Sequence, residues 1–174
     1  MGLWMIQSVK KELKQEQGLD LSFGEICEEA SKQTIPSLVD CNDARFLAPQ
    51  NMIQEVQKAC EDSGQPVPKT YGEIASVIYN SLAKCYGDTI EEIQEMTGKK
   101  YDSISIVGGG SNAEYLNELT ARYTKRTVYA GPTEATAIGN LMVQMMTTGE
   151  LTDLQNAREC VFESFAVKTY RPEE

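Results

Sequence analysis

The chain has 174 residues, of which 41% are hydrophobic and 24% are charged, and its formal net charge is −10. This composition is typical of a folded globular protein and excludes disordered and collagen-like chains, while the acidic balance argues against a nucleic-acid partner, whose binding depends on Lys and Arg. The absence of histidine excludes catalytic triads and proton shuttles built on that residue, and the usual zinc sites.

Two amphipathic helices are predicted first. The opening helix has apolar residues at helical spacing, but no capping residue or strand precedes it, so we expect an upstream segment to be missing. Its apolar positions are Leu3, Ile6, Val9 and Leu13. The second helix is predicted to begin after Ser22 and to end before Pro36. Its inward face is formed by Phe23, Ile26, Cys27 and Ala30.

A loop, a short helix and a long helix are predicted next. Residues 35–49 have a loop composition, in which Phe46 and Leu47 are expected to pack inward. A short amphipathic helix follows over residues 50–62. The long helix has a capping box of Thr70 and Glu73 at its start and ends at Gly98. Its predicted inner positions are Ile74, Ile78, Leu82, Cys85, Ile90, Ile93 and Met96.

Short strands alternate with helices in the last third. The β-branched run over residues 104–107 predicts a strand that leads into a glycine loop, and a helix over 113–123 and a strand over 127–130 follow. The next helix is expected to begin at Gly131-Pro132, with Glu134 in its first turn. Its predicted core positions are Ala135, Ile138, Leu141, Met142 and Met145. A last helix over 151–161 and a polar tail complete the prediction.

The cysteines and the hydropathy indicate the compartment. The chain has five cysteines, an odd number, and no Cys-x-x-Cys pair, which is typical of reduced thiols in a cytoplasmic protein. They are Cys27, Cys41, Cys60, Cys85 and Cys160. No apolar run approaches the roughly 20 residues that span a bilayer, and no signal segment opens the chain. We therefore predict a single domain over residues 1–174, cytoplasmic and without a membrane partner.

The glycine loop after the first strand is the candidate functional site. A strand, a glycine-rich turn and a helix allow a ligand to approach backbone N–H groups, which favours nucleotide binding. Gly108-x-Gly110-x-x-Ala113 also fits a relaxed dinucleotide fingerprint, but the next strand ends in Tyr129-Ala130-Gly131 where that fold needs Asp or Glu. No Gly-x-x-x-x-Gly-Lys-Ser/Thr loop is present, which excludes a P-loop enzyme.

The sequence around this loop resembles a known family. Residues 106–112 (IVGGGSN), 116–121 (LNELTA) and 130–140 (AGPTEATAIGN) resemble the adenine-nucleotide motif of the FGGY carbohydrate kinases. Residues 2–7, 42–49 and 64–68 narrow the resemblance to the branch that phosphorylates L-rhamnulose. The resemblance implies a helix-rich α/β fragment of the second lobe of an actin-like, ribonuclease H-like ATPase, with a small sheet and the nucleotide motif at 104–140.

The same resemblance implies site residues and ligands. Gln7, Gly109, Gly110, Ser111 and Asn112 match family positions that contact the nucleotide. ATP and ADP are the implied nucleotides, and Mg²⁺ is implied to bind with them through ligands outside this chain. The family's Asp general base and phosphate loop lie upstream of the position where this chain begins. We therefore expect no catalytic or metal-binding residue here.

The function expected from this resemblance is limited by what the chain contains. We expect that the chain alone does not phosphorylate sugars. The sugar is expected to bind only through a further lobe. A stand-alone adenine-nucleotide-binding module without catalysis is the alternative. If the missing upstream segment contributes central strands, the remaining sheet has an unpaired edge and exposed apolar surface, which predicts a homodimer across that edge.

Overall fold

The computed structural model describes residues 2–172 and has the helix-rich α/β architecture expected from the sequence. The α-helices and strands of this region are, in chain order, α1 (Trp4–Gln17), α2 (Phe23–Ser31), α3 (Met52–Asp62), α4 (Tyr71–Thr97), β1 (Ser103–Ile106), α5 (Glu114–Thr124), β2 (Thr127–Ala130), α6 (Ala135–Thr148), α7 (Leu154–Ser164) and β3 (Lys168–Tyr170). Short 3₁₀ helices cover Ala44–Phe46 and Gly108–Asn112.

The sheet of the described region has β2 at its centre. β1 pairs with β2 in parallel, with Ser103 opposite Thr127 and Ile106 opposite Ala130. β3 pairs with the other side of β2 in antiparallel orientation. The polar tail expected after the last helix is therefore wrong for residues 168–170, because these three residues form a strand only by pairing with β2.

Capping interactions fix the ends of several helices. In α2 the Ser22 hydroxyl accepts from the amide of Glu25, and the Glu25 carboxylate accepts in return from the amide of Ser22. Thr70 and Glu73 form the same reciprocal pair at the start of α4, and Gly98 ends that helix in the left-handed conformation. The capping box and the glycine stop predicted for α4 are both confirmed.

The main core lies among the first five α-helices. The first half of α4 runs through its middle, with buried residues from Ile74 to Ala83, and α1 contributes Met5, Ile6, Val9 and Leu13. A smaller core between α6 and α7 is formed by Met142, Leu151 and Ala157. Most of the predicted nucleotide motif, residues 104–140, lies outside these two cores.

Several residues expected in the core are exposed instead. Burial along α4 stops at Ala83, and Met96 is 86% exposed, because the neighbouring helices cover only the first half of this long helix. Leu47 is 66% exposed although its neighbour Phe46 is buried. In α6 only Met142 is buried and Leu141 is 51% exposed, since one helix, α7, packs against that face.

The boundaries of the last two helices also differ from the prediction. α6 begins at Ala135 and not at Gly131-Pro132, because Gly131 has a φ of +127°, outside the helical region, and the Pro132 carbonyl accepts from the amide of Gly108 instead of from a helical amide. α7 begins three residues later than expected, where the Asp153 side chain accepts from the amide of Asn156. Within residues 2–172, every helix is too short or too polar to cross a membrane.

Candidate functional site

The loops that follow β1 and β2 are joined by backbone hydrogen bonds. The amide of Gly108 donates to the carbonyl of Pro132 at 3.0 Å, and the amide of Gly131 donates to the carbonyl of Ile106 at 2.8 Å. Because β1 and β2 are parallel, their carboxyl ends meet at one edge, which is where open α/β sheets bind ligands. The two segments of the predicted nucleotide motif therefore form one structural unit.

The glycine loop is a short 3₁₀ helix in which only one glycine is required by the backbone. Gly108 has a φ of +74°, a left-handed conformation that L side chains rarely adopt. A Cβ at Gly109 meets nothing within 4 Å, and a Cβ at Gly110 makes ordinary contacts of 3.7 Å with Ile106 and Leu3. The fold does not require glycine at 109 and 110, so their bare backbone is available to a ligand.

Ser111 and Asn112 end the glycine loop and face in different directions. The buried Ser111 hydroxyl donates to the Gly108 carbonyl at 2.7 Å, so this side chain holds the loop together instead of facing solvent. The Asn112 side chain is exposed, and its Oδ1 accepts from the hydroxyl of Thr133 at 3.2 Å. The loop after β2 thereby orients the last polar side chain of the glycine loop.

Helix α1 brings Gln7 to the same place and closes one side of a cavity. The cavity has a volume of about 370 Å³, within the range of small-molecule sites. It is lined by Leu3, Ile6, Gln7, Phe23, Tyr79, Gly109, Gly110, Asn112 and Ala113. Helix α1 and the glycine loop, which are more than 70 residues apart in sequence, thus line the same cavity.

The chemistry of this cavity suits recognition more than proton transfer. Its walls are apolar apart from two carboxamide side chains and exposed glycine backbone, and Tyr79 is the one titratable residue among its lining. Burial raises the pKa of Tyr79 well above its ordinary value of 10.0, so the phenol stays protonated at neutral pH. The cavity therefore supplies no general base.

The residues around the cavity do not fit a directly bound metal ion. No carboxylate lines it, and residues 2–172 contain no cluster of three His, Cys, Asp or Glu side chains that could hold one. Mg²⁺ prefers carboxylate oxygens and substrate phosphates. A nucleotide-bound Mg²⁺ would need its protein ligands elsewhere.

An acidic cavity lies beside the first one. It has a volume of about 510 Å³ and shares Asn112 with the first cavity. Its acidic lining residues are Glu28, Glu114 and Glu118. Glu28 is paired with Lys32 and Glu114 with Lys168, so these two carboxylates are already compensated by neighbouring ammonium groups.

Four of the five residues selected from the sequence line one cavity. Gln7, Gly109, Gly110 and Asn112 are brought together, whereas Ser111 lies behind the loop. The sequence reasoning gave no role to Thr133, although its position after the second parallel strand was a usable signal. Phe23 was expected in the core and instead lines the cavity, a difference that helical spacing alone could not reveal.

The family model and the similar proteins that match this chain agree on one family. Residues 1–148 match the sequence model of the C-terminal domain of the FGGY family of carbohydrate kinases. The chain is 44% identical over 98% of its length to a protein named rhamnulokinase from Halalkalibacterium halodurans. Proteins of the same name from Ligilactobacillus salivarius and Bacillus subtilis are 45% and 42% identical over the whole chain. The chain spans 35–36% of the length of these relatives.

Proposed function

Because the chain belongs to the FGGY family of carbohydrate kinases, whose C-terminal domain it matches over residues 1–148, we propose that it forms the nucleotide-binding side of a sugar kinase. The resemblance inferred from its sequence motifs is thus confirmed at the level of the family. Beyond the family, we propose the ligand of the chain, the reaction of the whole protein and the residues that contact the nucleotide.

The observation that carries the proposal is the cavity shared by α1 and the glycine loop. Gln7 and Asn112 provide carboxamides that can donate to and accept from a base or ribose. Leu3, Ile6 and Ala113 provide apolar walls for a flat ring, and the bare backbone of the glycines permits close approach. We assign nucleotide contacts to Gln7, Gly109, Gly110 and Asn112, with Ser111 supporting the loop from behind.

The lining of the cavity favours one orientation of the nucleotide. It contains no Lys or Arg that could hold phosphates, and the neighbouring cavity is lined by Glu28, Glu114 and Glu118, of which the first two are paired with lysines. The base and ribose then occupy the uncharged cavity. Phosphates and their Mg²⁺ extend toward groups that the cavity itself does not provide.

The proposed reaction of the whole protein is phosphoryl transfer from ATP to L-rhamnulose, giving ADP and L-rhamnulose 1-phosphate. The printed name of the relatives, rhamnulokinase, supports this choice of sugar. Phosphoryl transfer needs a base for the sugar hydroxyl and a metal at the phosphates, and the cavity offers neither. We therefore propose that residues 1–174 alone bind nucleotide weakly and do not phosphorylate sugars.

The proposal also includes a cytoplasmic location and a homodimer. Family function in sugar metabolism and the odd number of cysteines, which form no disulfide within residues 2–172, support a cytoplasmic protein. The outer side of β1 has no partner strand within residues 2–172, which supports a homodimer across that edge. Sedimentation of a monomer at concentrations up to about the millimolar range contradicts this dimer.

Nucleotide titration tests the binding function. Purified chain is heated with ADP, ATP or NAD at equal concentrations, since a ligand raises stability in proportion to its occupancy of the native state. We expect ADP and ATP to raise the melting temperature and NAD to have no larger effect. Preferential stabilisation by NAD, or no stabilisation by any adenine nucleotide at millimolar concentration, overturns the proposal.

A chimera tests the reaction and the sugar. Residues 1–174 replace the matched segment of the Bacillus subtilis relative, and the product is assayed with ATP and several ketoses. We expect ADP release that depends on L-rhamnulose. A chimera that folds and binds ATP but phosphorylates a different ketose contradicts the substrate, and rapid phosphorylation by residues 1–174 alone contradicts the absence of a catalytic base.

A further inference from the structure

Phe23 is an exposed aromatic residue at the wall of the candidate nucleotide cavity. It is the first residue of α2 and its side chain is 49% exposed. The same helix buries Ile26, Cys27 and Ala30, so the core does not account for Phe23. Its ring lies instead beside Gln7 and the glycines of the loop, which line the same cavity.

Neighbouring groups hold Phe23 in place although it is exposed. The capping box of Ser22 and Glu25 fixes the first turn of α2, on which Phe23 lies. The Lys10 ammonium lies over the ring at 5.2 Å from its centroid, a cation–π contact. Lys10 also donates to the carbonyl of Leu21, which ties α1 to the residue before the cap.

Phe23 is the accessible aromatic residue among those lining the cavity. Tyr79, the other aromatic residue there, is 2% exposed and its ring packs edge-to-face against Tyr115 at 6.0 Å. Lys10 occupies one face of the Phe23 ring, so a ligand can stack only on the opposite face. A flat ring of matching size is the ligand chemistry that such a face accepts.

We propose that Phe23 is a specificity-determining residue that stacks on the purine base of the nucleotide. This inference rests on the proposed function, since it names how that site holds its ligand. Stacking tolerates any base, because every base has a π face, but it strengthens with ring area and therefore favours purines over pyrimidines. The carboxamides of Gln7 and Asn112 then form hydrogen bonds with the edges of the base or with the ribose.

The test compares Phe23→Leu and Phe23→Tyr with the unaltered chain of 174 residues. Binding of ADP, UDP and ribose 5-phosphate, which lacks a base, is measured by NMR titration. We expect the Leu variant to bind ADP roughly tenfold more weakly, to lose the preference for ADP over UDP, and to keep its affinity for ribose 5-phosphate. The Tyr variant keeps its affinity for ADP, because it retains the aromatic ring.

A matched control and a direct contact separate stacking from a general structural effect. Phe162 is 56% exposed and lies in α7, outside the cavity, so Phe162→Leu makes the same change elsewhere and is expected to leave ADP binding unaltered. In the unaltered chain we expect a nuclear Overhauser contact between the Phe23 ring protons and H2 or H8 of adenine.

The outcomes distinguish the role of Phe23 from the existence of the nucleotide site. If the unaltered chain binds ADP and Phe23→Leu binds it equally well, the role of Phe23 is overturned while the nucleotide site stands. If the unaltered chain fails to bind ADP at all, the proposed function and this inference fail together. A Leu variant that loses affinity for ADP and ribose 5-phosphate in the same proportion also contradicts stacking.

Discussion

The side-chain amide of Asn117 donates a hydrogen bond of 2.9 Å to the backbone carbonyl of Ser111. Asn117 is fully buried on α5, and Ser111 lies at the end of the glycine loop. The helix that follows the loop therefore holds the loop from behind, at a residue that the candidate ligand does not reach. The geometry of Gly109 and Gly110 depends on this contact.

Asn117→Leu is expected to lower both stability and nucleotide affinity. It leaves the Ser111 carbonyl without its donor, at a cost of about 1–3 kcal/mol in the free energy of unfolding. Urea unfolding and ADP titration measure the two effects. Thr120→Val is the control, because it removes a hydroxyl bond to the Leu116 carbonyl on the same helix without touching the loop. Unchanged ADP affinity in a folded Asn117→Leu variant contradicts the prediction.

Gly109→Ala is expected to affect binding and not folding. A Cβ at this position meets open space, so the free energy of unfolding should stay within about 0.5 kcal/mol of the unaltered value. ADP affinity should fall, since the methyl group projects into the space of a closely approaching ligand. Gly108→Ala is the matched variant and should cost about 1–2 kcal/mol, because its φ is +74°. Equal effects of both variants on stability disagree with this assignment.

Glu73→Gln is expected to remove a pH-dependent part of the stability. Hydrogen bonds from the backbone amides of Lys69 and Thr70 lower the pKa of Glu73 below its ordinary value of 4.5. The carboxylate therefore stabilises the native state above that pH, and its contribution is lost as the pH falls through the lowered pKa. Urea unfolding at about pH 7 and about pH 3 should show a larger difference between the two proteins at the higher pH.

The other half of the capping box provides the control for this measurement. Thr70→Ala removes the hydroxyl that accepts from the amide of Glu73 at 3.2 Å. The expected loss is about 1 kcal/mol at both pH values, since a hydroxyl does not titrate in this range. A difference between Glu73→Gln and the unaltered chain that persists at low pH argues against the ionised carboxylate as its source.

Two substitutions on α4 distinguish its covered half from its exposed half. Leu82→Ala removes a side chain that is 1% exposed and should destabilise the protein by about 2–5 kcal/mol. Met96→Ala removes one that is 86% exposed and should change the free energy of unfolding by less than about 0.5 kcal/mol. Thermal and urea unfolding of both variants measure the contrast. A large loss for Met96→Ala would indicate a contact not formed in this fold.

The helix caps and strands that were predicted correctly depend on residues that are close together in the chain. The capping box of Thr70 and Glu73, the glycine stop at Gly98 and the strand over 127–130 agree with the structure because each depends on neighbouring residues. The glycine loop could be located for the same reason. Family motifs then pointed to Gln7, which no local pattern distinguishes from an ordinary exposed helical residue.

Features decided by distant partners could not be predicted in this way. Phe23 has the spacing of a core residue, but spacing does not show where neighbouring helices leave a cavity. The second half of α4 repeats the apolar period, but its residues beyond Ala83 are only half-buried or exposed. Residues 168–170 become a strand only because β2 offers them a free side.

The position of β3 affects how the chain is made. The ribosome releases β3 only after β2, α6 and α7, so the central strand of the sheet stays open on one side until these residues emerge from the exit tunnel. The backbone groups of β2 that pair with β3, over residues 128–130, lack their partner strand during that interval. Proteolytic trimming near residue 166, or a bulky fusion placed close to Tyr170, therefore acts on the middle of the sheet.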